Sequence, residues 1–204
     1  MPGRPFQGTG HSENGQGYAT DMTPTAPPAP RVLLLPGWLD SGPGHWQTRW
    51  EQQHGFERVL QADWQWPRRG DWMARLDEML HADPRPVVFA AHSLGCHLVA
   101  AWAAHSSLRQ QARGALLVAP PDLARPDLPP QLAPWRPPLL QPLPFPSVLA
   151  WSTDDPFGTE AASLAMARAW GSTAWALGAR GHLNADSGLG DWPEALARMQ
   201  PWLA

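Results

Sequence analysis

Apolar positions recur along the chain in two alternating rhythms. Short unbroken runs (Arg31 to Leu35, Val87 to Ala90, Ala115 to Ala119, Ser147 to Trp151) have the length and make-up of strands buried on both faces. Two weaker runs, Arg58 to Leu60 and Ser172 to Leu177, complete six predicted strands. Between them the spacing changes to that of helices. Trp46 and Trp50 fall one turn apart in a segment from His45 to His54. Trp72, Leu76, Met79 and Leu80 share a face of a second helix, for which Asp71 is the expected N-cap. Leu94 to His105 is apolar almost all round, as expected of a covered central helix, and Thr159 to Trp170 forms an alanine-rich fourth. Asp191, Pro193 and Glu194 read as the start of a last helix, with the aspartate as its cap.

Strands alternating with helices predict an α/β three-layer sandwich. Its sheet would have about six strands, mostly parallel, with helices on both faces and right-handed crossovers. Prolines sharpen the boundaries. They crowd residues 120–146, where neither a helix interior nor a central strand tolerates them, so this segment is expected to be an extended or turn-rich excursion. Residues 1–30 are rich in Gly, Pro, Thr and Ser and lack the apolar stretch of a secretory signal. They are expected to be a disordered leader preceding one domain over 31–204.

Composition removes several function classes. A net charge of −3 with no basic cluster argues against nucleic acid as a partner. No apolar run reaches the ~20 residues of a membrane-spanning helix. A single cysteine excludes an internal disulfide framework and fits a reducing, cytoplasmic setting. His92, His97 and His105 have apolar neighbours and no ligand spacing, so no metal is expected. No phosphate-cradling or dinucleotide motif suggests a cofactor either.

Chemistry concentrates at strand ends. The third strand runs directly into Ala91-His92-Ser93-Leu94-Gly95 and then a helix, the pattern of a nucleophile elbow in which a sharp turn lifts a serine hydroxyl above the sheet. Small residues are needed on either side of the serine, and alanine replaces the usual first glycine. Asp154 and Asp155 follow the fifth strand, and His182 lies in a glycine-punctuated loop after the sixth. The order Ser, Asp, His is that of α/β hydrolases. A serine hydroxyl needs a base to take its proton as it attacks a carbonyl. An imidazole supplies that base, and a carboxylate on its other nitrogen fixes the tautomer. Ser93, Asp155 and His182 are therefore the expected catalytic residues. Asp155 is preferred over Asp154 because the following Pro156 enforces an extended backbone, and Asp122 is the alternative acid.

The amides of Leu94 and Trp38 are the expected oxyanion hole, with Gly37 allowing close approach. Trp38, Trp46 and Trp135 are the expected walls of an acyl pocket, covered by the excursion around Trp135 to Phe145. Cys96 is expected to be an inert core thiol, and His92 a packing residue of the elbow. The partner expected is a small ester or amide. The competing expectation is a protein of low activity that binds other proteins through its proline-rich surface.

Several segments together resemble one known family. Pro36 to Gln47 (PGWLDSGPGHWQ), the elbow, Leu143 to Ser147 (LPFPS), Ser152 to Phe157 (STDDPF) and Gly181 to Gly188 (GHLNADSG) resemble the retinoblastoma-binding-protein-nine-like small serine hydrolases and their bacterial relatives. The resemblance runs from about Arg31 to the C-terminus. It implies a compact α/β-hydrolase fold and the same three catalytic residues, with no defined physiological substrate. Ala91 departs from members that carry glycine there.

Overall fold

A computed structural model describes Met1, Gly3 and residues 28–204, so the leader expected over 1–30 lies almost wholly outside the described residues. The chain forms, in order, β1 (Arg31–Leu35), α1 (Trp46–His54), β2 (Glu57–Arg58), α2 (Arg69–Ala82), β3 (Val87–His92), α3 (Leu94–His105), β4 (Ala112–Val118), β5 (Ser147–Trp151), α4 (Glu160–Trp170), β6 (Thr173–Ala176) and α5 (Pro193–Leu203). The sheet has six strands in the order β2-β1-β3-β4-β5-β6, and every pair is parallel. The predicted α/β three-layer architecture is what the chain adopts.

Side-chain alternation explains the layers. Leu33, Leu35, Phe89, Leu117, Leu149 and Trp151 point into one core with Trp72, Leu76 and Leu80 of α2, the apolar face of α3, and Met166 and Trp170 of α4. Their neighbours Val32, Leu34, Val88, Leu116, Val118 and Val148 face the other core with Trp46 and Trp50 of α1 and Ala195 and Met199 of α5. Strands covered on both faces need no polar alternation, which is why they read as unbroken apolar runs.

Helix starts depart from the sequence reading in two places. α2 begins before Asp71, which sits in its first turn near the positive end of the helix dipole, and Arg68 at the cap makes no side-chain bond. Asp191 does not cap α5. Trp192 occupies that position with φ 45°, while the Asp191 carboxylate accepts from Arg49 and Gln53 of α1. An ion pair to another helix has displaced the local cap. Thr159 does cap α4, its hydroxyl accepting from the Ala162 amide.

The excursion holds a short 3₁₀ turn (Pro130–Trp135), and Leu123, Leu128, Leu132, Trp135 and Phe145 bury themselves in the first core. His97 of α3 is pinned beneath it. The ring is 3% exposed, and its Nε2–H donates to the Pro121 carbonyl at 2.9 Å. That leaves Nδ1 buried without a partner. Burial holds this imidazole down to about 4, partly offset by the Pro121 carbonyl and Asp122. The folded state therefore refuses a proton that the unfolded chain takes up below about pH 6.5. Stability is fully present above that pH and falls as pH drops toward 4, by on the order of 3 kcal/mol from this residue. Urea unfolding between pH 7 and 4 is expected to show this loss, and His97→Gln is expected to remove about one proton from its slope. An unchanged slope in the variant would contradict the assignment.

Candidate active site

The strand order reverses direction between β1 and β3, and the crevice beyond their carboxyl ends is where an open parallel sheet receives ligands. Ser93 stands at that point. It joins β3 directly to α3 with φ 53° and ψ −121°, a conformation costing on the order of 1–3 kcal/mol that the flanking strand and helix impose. The turn is tight on both sides. A Cβ on Gly95 would run into the Leu35 carbonyl, and one on Gly37 would lie 2.6 Å from the Ser93 Cβ. Ala91 is fully buried in the strand, so a methyl is accommodated where glycine is more usual.

Three side chains expected from the sequence meet here. The Ser93 hydroxyl lies 2.9 Å from His182 Nε2. His182 Nδ1 lies 2.9 and 3.0 Å from the two Asp155 carboxylate oxygens. Asp155 also accepts from the Phe157 amide at 2.9 Å, which fixes the carboxylate at the end of β5. The His182 and Asp155 side chains are 10% and 6% exposed, so water does not compete for their contact. A serine, an imidazole and a carboxylate linked in this order can pass a proton from the hydroxyl to Nε2 while Nδ1–H stays on the acid. Asp154 turns away from the ring and accepts from Ser152 and the Gly181 amide. Asp122 is engaged in a turn with the Ala124 amide.

A cavity of about 220 Å³ opens over Ser93, and its walls include Trp38, Leu39, Leu94, Pro121, Leu132 and Phe157. Leu94 is the first residue of α3, so its amide has no helical acceptor. Trp38, in the loop after β1, also lines the cavity. Arg58 braces that loop, bonding Asp40 at 2.7 Å and the Ser41 carbonyl at 2.9 Å.

Of the three expected tryptophan walls, Trp38 lines the cavity and the other two need correction. Trp46 is 1% exposed in the second core, its indole N–H bonded to the Leu183 carbonyl, and Trp135 is equally buried against Trp72 with its N–H on the Pro67 carbonyl. Neither lines the cavity. The excursion contributes Pro121 and Leu132 instead, not the stretch from Trp135 to Phe145. A larger cavity of about 440 Å³ lies against α2, lined by Asp63, Trp66, Arg68 and Glu78 among others, and holds no nucleophile beside a base.

Two histidines at the site were not anticipated as part of it. His45 caps α1, its Nδ1 accepting from the Gln47 amide, and lines the cavity. Burial, then Arg58 and His182, hold it down to about 3, so it is neutral at working pH. His92, expected only to pack, donates from Nε2 to the His182 carbonyl at 2.9 Å. Its position directly before Ser93 was the one signal available. Cys96 is fully buried, and desolvation pushes its thiol well above the ordinary range, so it is no nucleophile. No helix among the described residues is long and apolar enough to cross a membrane.

Known proteins share this architecture. A family model described as serine hydrolase matches residues 32–201. No curated protein matches the chain. Among solved structures, a protein described as a YdeN-like hydrolase from Pectobacterium atrosepticum superposes with a TM-score of 0.75 at 26% identity, over 85% of this chain and 90% of that one. The ydeN gene product from B. subtilis gives 0.65 at 19% identity over 85% and 98% of the two chains. A thermophilic esterase from Thermogutta terrifontis gives 0.62 at 15% identity over 87% and 90%. At those lower identities the last two speak for the fold alone.

Proposed function

The chain belongs to the serine hydrolase family, and from that premise we propose that it cleaves a small ester or amide through an acyl-enzyme, in the manner of a carboxylesterase. Ser93 is the nucleophile, His182 the base and Asp155 the acid that orients it. The observation that carries this reading is the unbroken hydrogen-bonded path from Asp155 through His182 to Ser93, at the floor of a cavity.

The steps follow from the geometry. As Ser93 Oγ bonds to the substrate carbonyl carbon, its proton passes to His182 Nε2, and the imidazolium is stabilised by Asp155. The carbonyl oxygen, now an oxyanion, is held by the Leu94 and Trp38 amides. Collapse breaks the bond to the alcohol or amine, which leaves with the proton from Nε2. Water then attacks the acyl-serine with His182 again as base, releasing the acid and restoring the hydroxyl.

The cavity size and its largely apolar walls favour a short acyl group. The esterase from Thermogutta terrifontis, although similar only in fold, makes ester cleavage the natural first assay. Short p-nitrophenyl esters are expected to be turned over with a burst of one equivalent of nitrophenol when deacylation is the slower step. Well-folded protein that turns over none of them would favour the competing reading, in which the fold serves protein binding through the surface of 120–146.

A further inference from the structure

Within the loop bearing His182 the Ser187 hydroxyl donates to the Arg180 carbonyl at 2.6 Å and Asn184 caps a 3₁₀ turn (Ala185–Ser187), yet Gly178, Gly181, Gly188 and Gly190, all at positive φ, leave the backbone wide conformational freedom. Its main chain is nevertheless gripped on both sides of the imidazole. Before His182, the Gly181 amide donates to Asp154 Oδ1 at 2.7 Å and the Arg180 amide donates to Ser152 Oγ at 2.7 Å. The Ser152 hydroxyl in turn donates to Asp154 Oδ1 at 2.6 Å, joining the two contacts into one unit at the end of β5. After it, the His182 carbonyl accepts from His92 Nε2 at 2.9 Å. His92 immediately precedes Ser93, and Asp154 immediately precedes Asp155.

We propose that His92 and Asp154 are positioning residues that hold the backbone of His182, so that each neighbour of a reacting group fixes the base that both must meet. The side-chain bonds to Ser93 and Asp155 set the direction of the ring only if the main chain beneath it stays in place. A displacement of about 1 Å in such a site costs on the order of 10²-fold in rate.

The chemistry of the two residues suits this task. The Ser152 hydroxyl and the Gly181 amide hold the Asp154 carboxyl below its ordinary range, so it remains an ionised acceptor for both. His92 is held well below the ordinary imidazole range by burial and by the neighbouring His45 and His182. It therefore donates as a neutral ring. With the two ring centroids 4.9 Å apart, a charged His92 would oppose the positive charge that His182 acquires from Ser93.

The test compares disruptive and conservative variants at each position. Asp154→Ala and His92→Phe are each expected to lower kcat on a p-nitrophenyl ester by about 10- to 100-fold with little change in KM. Both are also expected to broaden or abolish the far-downfield proton resonance of the His182 Nδ1–H held by Asp155. Asp154→Asn keeps an oxygen for Ser152 and Gly181, and His92→Gln keeps an amide N–H for the His182 carbonyl. Each is expected to recover most of the rate and the resonance. Should a disruptive variant fail to fold, Ser152→Ala removes a single hydroxyl of the same unit and is expected to show the same pair of losses. Wild-type kcat and resonance in the disruptive variants, or equal losses in the conservative ones, would overturn the proposal. The kinetic arm rests on Ser93 acting as nucleophile, whereas the resonance is read in the resting protein. A protein that cleaves no ester would therefore defeat the proposed function, and the resonance alone would then decide the positioning.

Discussion

Ser93→Ala is expected to reduce kcat/KM for ester hydrolysis by about 10⁴-fold or more while leaving a folded protein. The size follows from the mechanism. Among the described residues no other hydroxyl or thiol lines the cavity beside His182, and Cys96 is sealed in the core with its thiol proton retained. Without the nucleophile, residual activity would come only from water activated by His182, substrate binding and the oxyanion donors. Folding should survive because the strained turn at residue 93 is imposed by β3, α3 and the tight approach of Gly95 to β1, not by the hydroxyl. Thermal unfolding of the variant checks that the loss is chemical.

Asp155→Asn is expected to be nearly as severe, about 10³- to 10⁴-fold in kcat, although the side chains have almost the same shape. The carboxylate accepts from His182 Nδ1 through either oxygen and so presents Nε2 as an acceptor to the Ser93 hydroxyl. An amide that turns its NH₂ toward Nδ1 would reverse the tautomer and place a proton where the base must receive one. Asp154→Asn, by contrast, should stay within about tenfold of wild type, because its bonds to Ser152 and Gly181 require only an acceptor. Steady-state kinetics on the two variants side by side decide between the adjacent aspartates. The reverse ranking would move the acid to Asp154.

The layered sheet was legible in the sequence because strands buried on both faces are written as unbroken apolar runs, and Ser93, Asp155 and His182 follow the ends of β3, β5 and β6. Ser93 was visible through its small neighbours, and Asp155 through the proline that follows it. What remained hidden was decided by tertiary contacts. Trp46 and Trp135 looked like pocket walls because aromatic side chains suit ligands, but their N–H groups find carbonyls inside the cores, and a fully buried indole is a core filler. Pro121 and Leu132 reach the cavity only because the excursion folds back over α3, which no local pattern announces. Asp191 had the residue type of a cap and was drawn away by Arg49 from a distant helix. His92 passed for packing because its partner is a main-chain carbonyl contributed from 90 residues further along the chain.

The central claim is that Ser93 is an activated nucleophile, and reaction with a fluorophosphonate followed by mass analysis of the labelled peptide tests it most directly. Wild-type protein is expected to take up one equivalent of probe on the peptide containing Ser93, at a rate strongly reduced in His182→Ala, with no uptake in Ser93→Ala. A folded wild-type protein that stays unlabelled, or a label carried on any residue other than Ser93, would contradict it.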